Sequence, residues 1–167
     1  DEKISPSGVT YVEYFQEIER FIAVIMKNGT IKQLNIVKSL DDLEYQVDDF
    51  SIGRRVPLFS DLHRYFEGEN VDFSKYRIDM SNYTSFVRAV LETVSKIPYG
   101  TTLFYSDVAE TIGKAKACRA VGKAVGSNRT LILVPCHRVV GKHGLRGFGE
   151  LGIEFKSMLL EMEKVNR

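Results

Sequence analysis

Residues 102–126 read TLFYSDVAETIGKAKACRAVGKAVG, and the fold turns on this stretch. Val108, Ala109 and Ile112 recur at helical spacing up to Gly113, with Thr102 or Ser106 placed to cap the start. A second helix is expected from near Lys116 to Gly126. Two short helices joined through residues 113–115 have the pattern of a helix-turn-helix, whose second member is the candidate recognition helix. That helix interleaves the small residues Ala117, Ala120, Val121 and Ala124 with the basic residues Lys116, Arg119 and Lys123. Small side chains permit close approach to another surface, and Arg119 and Lys123, four apart, share a face suited to phosphates. Tight helix packing beneath a solvated basic face is the alternative, and the two readings are compatible. Cys118, beside Ala117, Ala120 and Val121, is expected to be a packed structural thiol.

Upstream, Phe86, Val90 or Leu91, and Val94 or Ile97 line one side of a helix expected over 81–97, which stops at Pro98. Pro98-Tyr99-Gly100 then makes a turn. Downstream, residues 131–134 read as a short strand or extended entry to Pro135, followed by a glycine-rich loop over 141–152. A last helix carries Phe155, Met158, Leu159 and Met162.

The first half has a different pattern. FIAVIM within 20–27 and the alternation over 30–38 read as two strands joined by Asn28-Gly29, a type I′ hairpin signal. Residues 43–50 add a further strand or a short turn. Leu58, Leu62, Tyr65 and Phe66 mark a helix over 57–66 that Gly68 ends, and residues 69–80 read as a polar linker. The expected fold class is α/β: a small N-terminal domain with its linker over 1–79, then a mainly helical domain with the helix-turn-helix over 80–167.

With 167 residues, 44% hydrophobic and 27% charged, the chain has material for one or two packed domains. No apolar run approaches the roughly 20 residues of a membrane span, and DEKISPSGVTYVEY lacks the basic start and apolar stretch of a signal peptide. A cytoplasmic protein is expected, nuclear in a eukaryotic source. Two cysteines are too few for a disulfide scaffold, and three histidines without a CxxC pair offer no zinc ligand set, so neither metal nor cofactor is expected. The net charge of +1 hides an asymmetry. Residues 1–79 carry 10 Lys/Arg against 15 Asp/Glu, and residues 80–167 carry 13 against 7. Such a field would draw a polyanion to the second half, although an ordinary charged surface accounts for it equally well.

Pro135-Cys136-His137-Arg138 is the most informative tetrad. A thiolate is the nucleophilic form of cysteine, and neighbouring cations favour it. Adjacent residues in an extended chain point oppositely, so contact between Cys136 and His137 requires a turn or a bridging water. Asn128 ends the preceding helix and can cap it or hold a neighbouring loop through both halves of its amide.

IPYGTTLFYSDVAETIG, ACRAVGKAVGSN, VPCHRVVGKHG and the terminal KSMLLEME together resemble the O6-alkylguanine-DNA alkyltransferase family over roughly residues 80–165. The N-terminal half resembles the family's small ribonuclease-H-like domain more loosely, best at DLHRYFEGE. The resemblance implies direct repair of O6-alkylguanine in double-stranded DNA by irreversible, stoichiometric transfer of the alkyl group to Cys136, by a protein expected to be monomeric. It implies that His137 takes the thiol proton through a water, that Glu163 supports the histidine, and that Tyr105 donates toward guanine N3. Asn128 would stabilise the turn presenting the cysteine. Arg119 would fill the space left by an extruded base, with Ala117, Ala120, Val121, Gly122, Lys123 and Arg138 at the DNA, and Val139, Phe148 and Gly149 at the base pocket. A base inside the duplex hides its O6 substituent from in-line attack, so this chemistry requires base flipping.

One region departs from the family pattern. Its glycine-rich loop commonly holds a tyrosine, whereas LRGFGELGIEFK places Phe148 nearby, displaced by one residue, and Glu150 interrupts the glycines. The hydroxyl is missing while an apolar wall is retained.

Three other readings compete. A damage-binding module that flips a base without repairing it would lack the cysteine. A cysteine hydrolase built on Cys136 and His137 would need an oxyanion hole and leaves Arg119 without a purpose. A helix-turn-helix regulator predicts sequence-specific binding and a dimer surface.

Overall fold

The computed structural model describes residues 3–166. The chain divides between Asp79 and Met80 into two compact units, a mixed α/β architecture. Among the described residues no helix is long and apolar enough to cross a membrane.

The first unit is an antiparallel meander of β1 (Val9–Phe15), β2 (Arg20–Lys27) and β3 (Thr30–Val37), followed by helix α1 (Pro57–Phe66). Asn28 at φ 53° and Gly29 at φ 75° both lie in the left-handed region that a type I′ turn requires. Central β2 is buried over four consecutive residues, 22–25, because both of its faces are covered. On one face Val12, Ala23 and Leu43 form a cluster joined by Phe21, Val37, Leu40, Tyr45 and Val47. On the other, Phe15 meets Phe59 and Phe66 of α1 edge to face and stacks on His63.

Two features of this unit differ from expectation. β1 was not anticipated, although VTYVEYF is rich in β-branched and aromatic residues. The segment expected as a linker extends the pairing instead: Ile31 N–H donates to Arg77 C=O at 2.8 Å, and Asp79 N–H donates to Ile31 C=O at 2.8 Å. Main-chain pairing is indifferent to the polar side chains that suggested a linker. Residues 43–50 form no regular strand: Tyr45 makes a single bridge to Ile4, and a 3-10 turn begins at Asp49.

The second unit contains α2 (Ser85–Ser95), β4 (Leu103–Phe104), α3 (Tyr105–Thr111), α4 (Cys118–Gly126), β5 (Val139–Val140) and α5 (Gly152–Asn166). α2 begins later than expected because Thr84 Oγ1 accepts from Val87 N–H at 3.2 Å and caps it. α2, α3 and α4 pack on one another. Neither Thr102 nor Ser106 caps α3. The chain stays extended through Phe104, where β4 pairs in parallel with β5, and the Asp107 carboxylate accepts from Phe104 N–H at 2.7 Å.

α4 buries Val121, Ala124 and Val125, leaving Cys118, Arg119, Ala120 and Lys123 exposed. Cys118 is therefore a free, exposed thiol rather than a packed one, because the inward stripe of the helix starts one turn later. Residues 131–134 form no strand. Leu131 and Val134 bridge each other across a tight turn that holds the β-branched Ile132 at φ 72°, a strained conformation for such a residue. α5 turns Phe155, Lys156, Leu159 and Glu163 inward, while Met158, expected on the apolar side, is 38% exposed.

Candidate active site

The turn before the tetrad is built on Asn128. Its Nδ2 donates to Val134 C=O at 3.0 Å, and its Oδ1 accepts from Thr130 N–H at 3.0 Å and from Thr130 Oγ1 at 3.2 Å. Pro135, at φ −79° and ψ 62°, then forms an inverse γ-turn in which Cys136 N–H donates to Val134 C=O at 2.8 Å. The chain closes into a single 3-10 turn over Cys136–Arg138. Cys136 and His137 thus share a turn, not an extended segment that would point them apart.

Cys136 is 3% exposed. Burial pushes its thiol up to about 12, against a hydrogen bond from Asn128 and the charge of Lys156, which both favour the thiolate. The resting group is a thiol, and its proton has to be removed for the sulfur to act.

His137 is fully buried, and its Nε2 is paired with Glu163 Oε2 at 2.6 Å. Burial lowers the imidazole pKa more than Glu163 raises it, so the ring is neutral and competent to accept a proton. Burial also works against the Glu163 carboxylate, yet hydrogen bonds from His137 and Arg138 outweigh it and hold this group at about 2. Arg138 completes the network, donating from Nε to Glu163 Oε1 at 2.8 Å and from Nη2 to Oε2 at 3.1 Å. Its Nη1 donates to Ile97 C=O at 2.8 Å. Gly100 N–H donates to the same Oε1 at 3.3 Å.

Arg138 was expected at the DNA and as a cation beside the thiol. Its guanidinium is committed instead to Glu163 and Ile97, with the side chain only 12% exposed. Val121, also expected at the DNA, is fully buried on the inward stripe of α4. Arg119, Lys123 and Ala120 lie on the exposed face and Ala117 is half-buried.

Tyr105, the first residue of α3, is half-buried. Burial, then the charge of Cys136, raises its pKa above the ordinary phenol value, against Arg146. It therefore stays protonated and can donate. A Cβ on Gly122 would stand 3.9 Å from the Tyr105 ring, so α4 runs close beside it. Val139 is buried at the foot of the site. Phe148 is 8% exposed, meets His137 edge to face at 6.3 Å between centroids and stacks on Phe155. Gly149, expected at the pocket, is exposed with open space where a Cβ would project.

The cation near the thiol is Lys156, which the sequence reading missed. Its Nζ donates to Val139 C=O at 2.7 Å and lies 5.9 Å from the centre of the Tyr105 ring. The available signal was its register: Lys156 precedes Glu163 by two helical turns, so placing one inward places the other. Among the described residues no group of three His, Cys, Asp or Glu could hold a metal ion.

Comparison with known proteins bears on the same region. Residues 85–165 match the family described as 6-O-methylguanine DNA methyltransferase, DNA binding domain. A methylated-DNA–protein-cysteine methyltransferase of Metallosphaera sedula is 38% identical over 142 residues, 85% of each chain. A probable methylated-DNA–protein-cysteine methyltransferase of Acanthamoeba polyphaga mimivirus is 47% identical over 107 residues, 64% of this chain and 70% of that one. The crystal structure of Mycobacterium tuberculosis OGT in complex with DNA superposes with a TM-score of 0.79 at 32% identity, over 94% of this chain and 93% of that one. On this similarity, which spans both units, the chain belongs to the methylated-DNA–protein-cysteine methyltransferase family.

Proposed function

We propose that this protein repairs O6-alkylguanine in DNA directly, by moving the alkyl group onto Sγ of Cys136, once per molecule. The observation that carries this reading is a buried thiol on a tight turn, next in the chain to an imidazole paired with a buried carboxylate. An exposed basic helix belongs to the same unit.

In this scheme the Cys136 proton passes through a water to His137. Glu163 holds Nε2, so the proton arrives at Nδ1. The thiolate attacks the alkyl carbon as the carbon–oxygen bond breaks and the carbon–sulfur bond forms. The electron pair of the broken bond stays with the purine, whose N3 accepts a hydrogen bond from Tyr105; the purine takes up one proton from solvent and His137 gives one back, so the count closes. A thioether has no easy hydrolytic route, so the protein is consumed.

α3 and α4 act as a helix-turn-helix in this reading, with Arg119 and Lys123 toward the duplex. Arg119 fills the gap left by the flipped base, as wedges do in other minor-groove binders. Phosphate contacts supply most of the affinity and make it salt-dependent. The N-terminal meander and α1 serve as the ribonuclease-H-like unit, and the protein works as a monomer.

Incubation with duplex DNA carrying labelled O6-methylguanine tests the proposal. Label should accumulate on the protein to one methyl per molecule and stop. Continued turnover would favour a hydrolase, and binding without transfer would favour a damage-binding module.

A further inference from the structure

Lys156 is a buried charge that the scheme above leaves unused. Its side chain is 1% exposed, and its ammonium has the Val139 carbonyl at 2.7 Å and the face of Tyr105 at 5.9 Å. One carbonyl and one ring face compensate poorly for taking a full charge out of water. A buried ammonium on that footing calls for an anion.

The groups that face it narrow the choice. From the 136–138 turn come Cys136 and His137, and from α3 comes Tyr105, on which Arg146 of the glycine-rich loop acts in turn. His137 is neutral, and its partner Glu163 already accepts from His137, Arg138 and Gly100. Tyr105 is held in its protonated form. Cys136 remains, and the two groups act on each other: Lys156 draws the thiol toward its anion, and Cys136 supports the ammonium. Burial brings Lys156 down to about 8 despite that support, within reach of neutral pH.

We infer that Lys156 is a positioning residue for alkyl transfer, whose ammonium is the counter-charge of the Cys136 thiolate and is tied through Val139 to the strand pair bordering the site. The inference deepens the reading of Cys136 as acceptor and rests on it. Removing the Cys136 proton creates a thiolate–ammonium pair. Alkylation replaces the thiolate by a neutral thioether, so the pair exists only while the sulfur reacts, and Lys156 ends beside a neutral sulfur as it began.

Two measurements on the full chain in a Cys118→Ser background test this without DNA. Methyl methanethiosulfonate, a small reagent that leaves a neutral sulfur, should modify Cys136 about tenfold more slowly in Lys156→Met, corresponding to about one unit of thiol pKa. Lys156→Arg, which keeps the charge, should recover most of that rate. In protein retaining Lys156, the lysine ε-carbon resonance followed by NMR should titrate at higher pH in Cys136→Asp, whose carboxylate puts a standing anion where the resting protein has a thiol. An unchanged rate in the folded Met variant, or a Lys156 midpoint unmoved by the aspartate, overturns the inference. The NMR arm decides alone if the Met variant does not fold. Failure of methyl transfer from DNA with both arms positive would instead count against the repair reading.

Discussion

Glu163 Oε2 and His137 Nε2 stand 2.6 Å apart although 26 residues separate them in sequence, and both side chains are buried. This pair commits Nε2 of the imidazole to the carboxylate. It also ties α5 to the Cys136–Arg138 turn, and Arg138 joins it by two further bonds to the same carboxylate.

Glu163→Gln should therefore affect rate and stability together. Leaving the Arg138 guanidinium without its anion is expected to cost about 3–5 kcal/mol, read by chemical denaturation. Methyl transfer should slow by about tenfold or more as support for the imidazole is lost. The carboxylate is held at about 2, below its unfolded value, so its stabilisation is complete above about pH 4.3 and lost as the pH falls through the folded value. The stability gap between native protein and variant should close over that acid window; a gap independent of pH would contradict the assignment.

Asn128→Ala removes the bonds to Val134 and Thr130 that hold the turn before the tetrad. Leaving those main-chain groups unsatisfied is expected to cost about 1–3 kcal/mol. Transfer should slow as well, because Ile132 at φ 72° has lost its restraint and Cys136 its presentation. Denaturation curves alongside single-turnover rates measure both effects.

Arg119→Ala should slow transfer from a duplex more than reaction with a free alkylated base, since only the duplex has a gap to fill. Equal losses on the two substrates would argue against the wedge role.

In the first unit, His63 of α1 pairs with Glu17 through Nδ1 at 2.6 Å and with Glu13 through Nε2. Burial opposes the charged ring, yet the two carboxylates outweigh it and raise the histidine pKa. The stabilisation is full below the unfolded value of about 6.5 and is lost as pH rises through the raised folded value. Urea denaturation should therefore show His63→Gln least stable relative to native protein at acid pH, with the gap closing as the solution becomes alkaline.

Local spacing made much of this readable in sequence. Asn28-Gly29 announced its turn, the apolar residues of α1 and α2 their helices, and the 135–138 tetrad the place where a thiol and an imidazole share one turn. What could not be read depended on which way a charged or small residue faces. A lysine or arginine is ordinarily placed in solvent, so Lys156 was overlooked and Arg138 was assigned outward. Both directions follow from a tertiary partner, Val139 C=O for one and Glu163 for the other. Cys118 has apolar neighbours in sequence but precedes the turn at which α4 meets its core. The pairing of Ile31 with residues 77–79 uses only backbone groups and left no side-chain pattern.

The central claim is that the alkyl group comes to rest on one sulfur. After a single-turnover incubation with duplex O6-methylguanine, proteolysis and tandem mass spectrometry should find the peptide containing Cys136 heavier by about 14 Da, with the added mass on that residue. The peptide containing Cys118 should be unchanged. An unmodified Cys136 after demonstrated binding, or methyl on any other residue, would contradict the account.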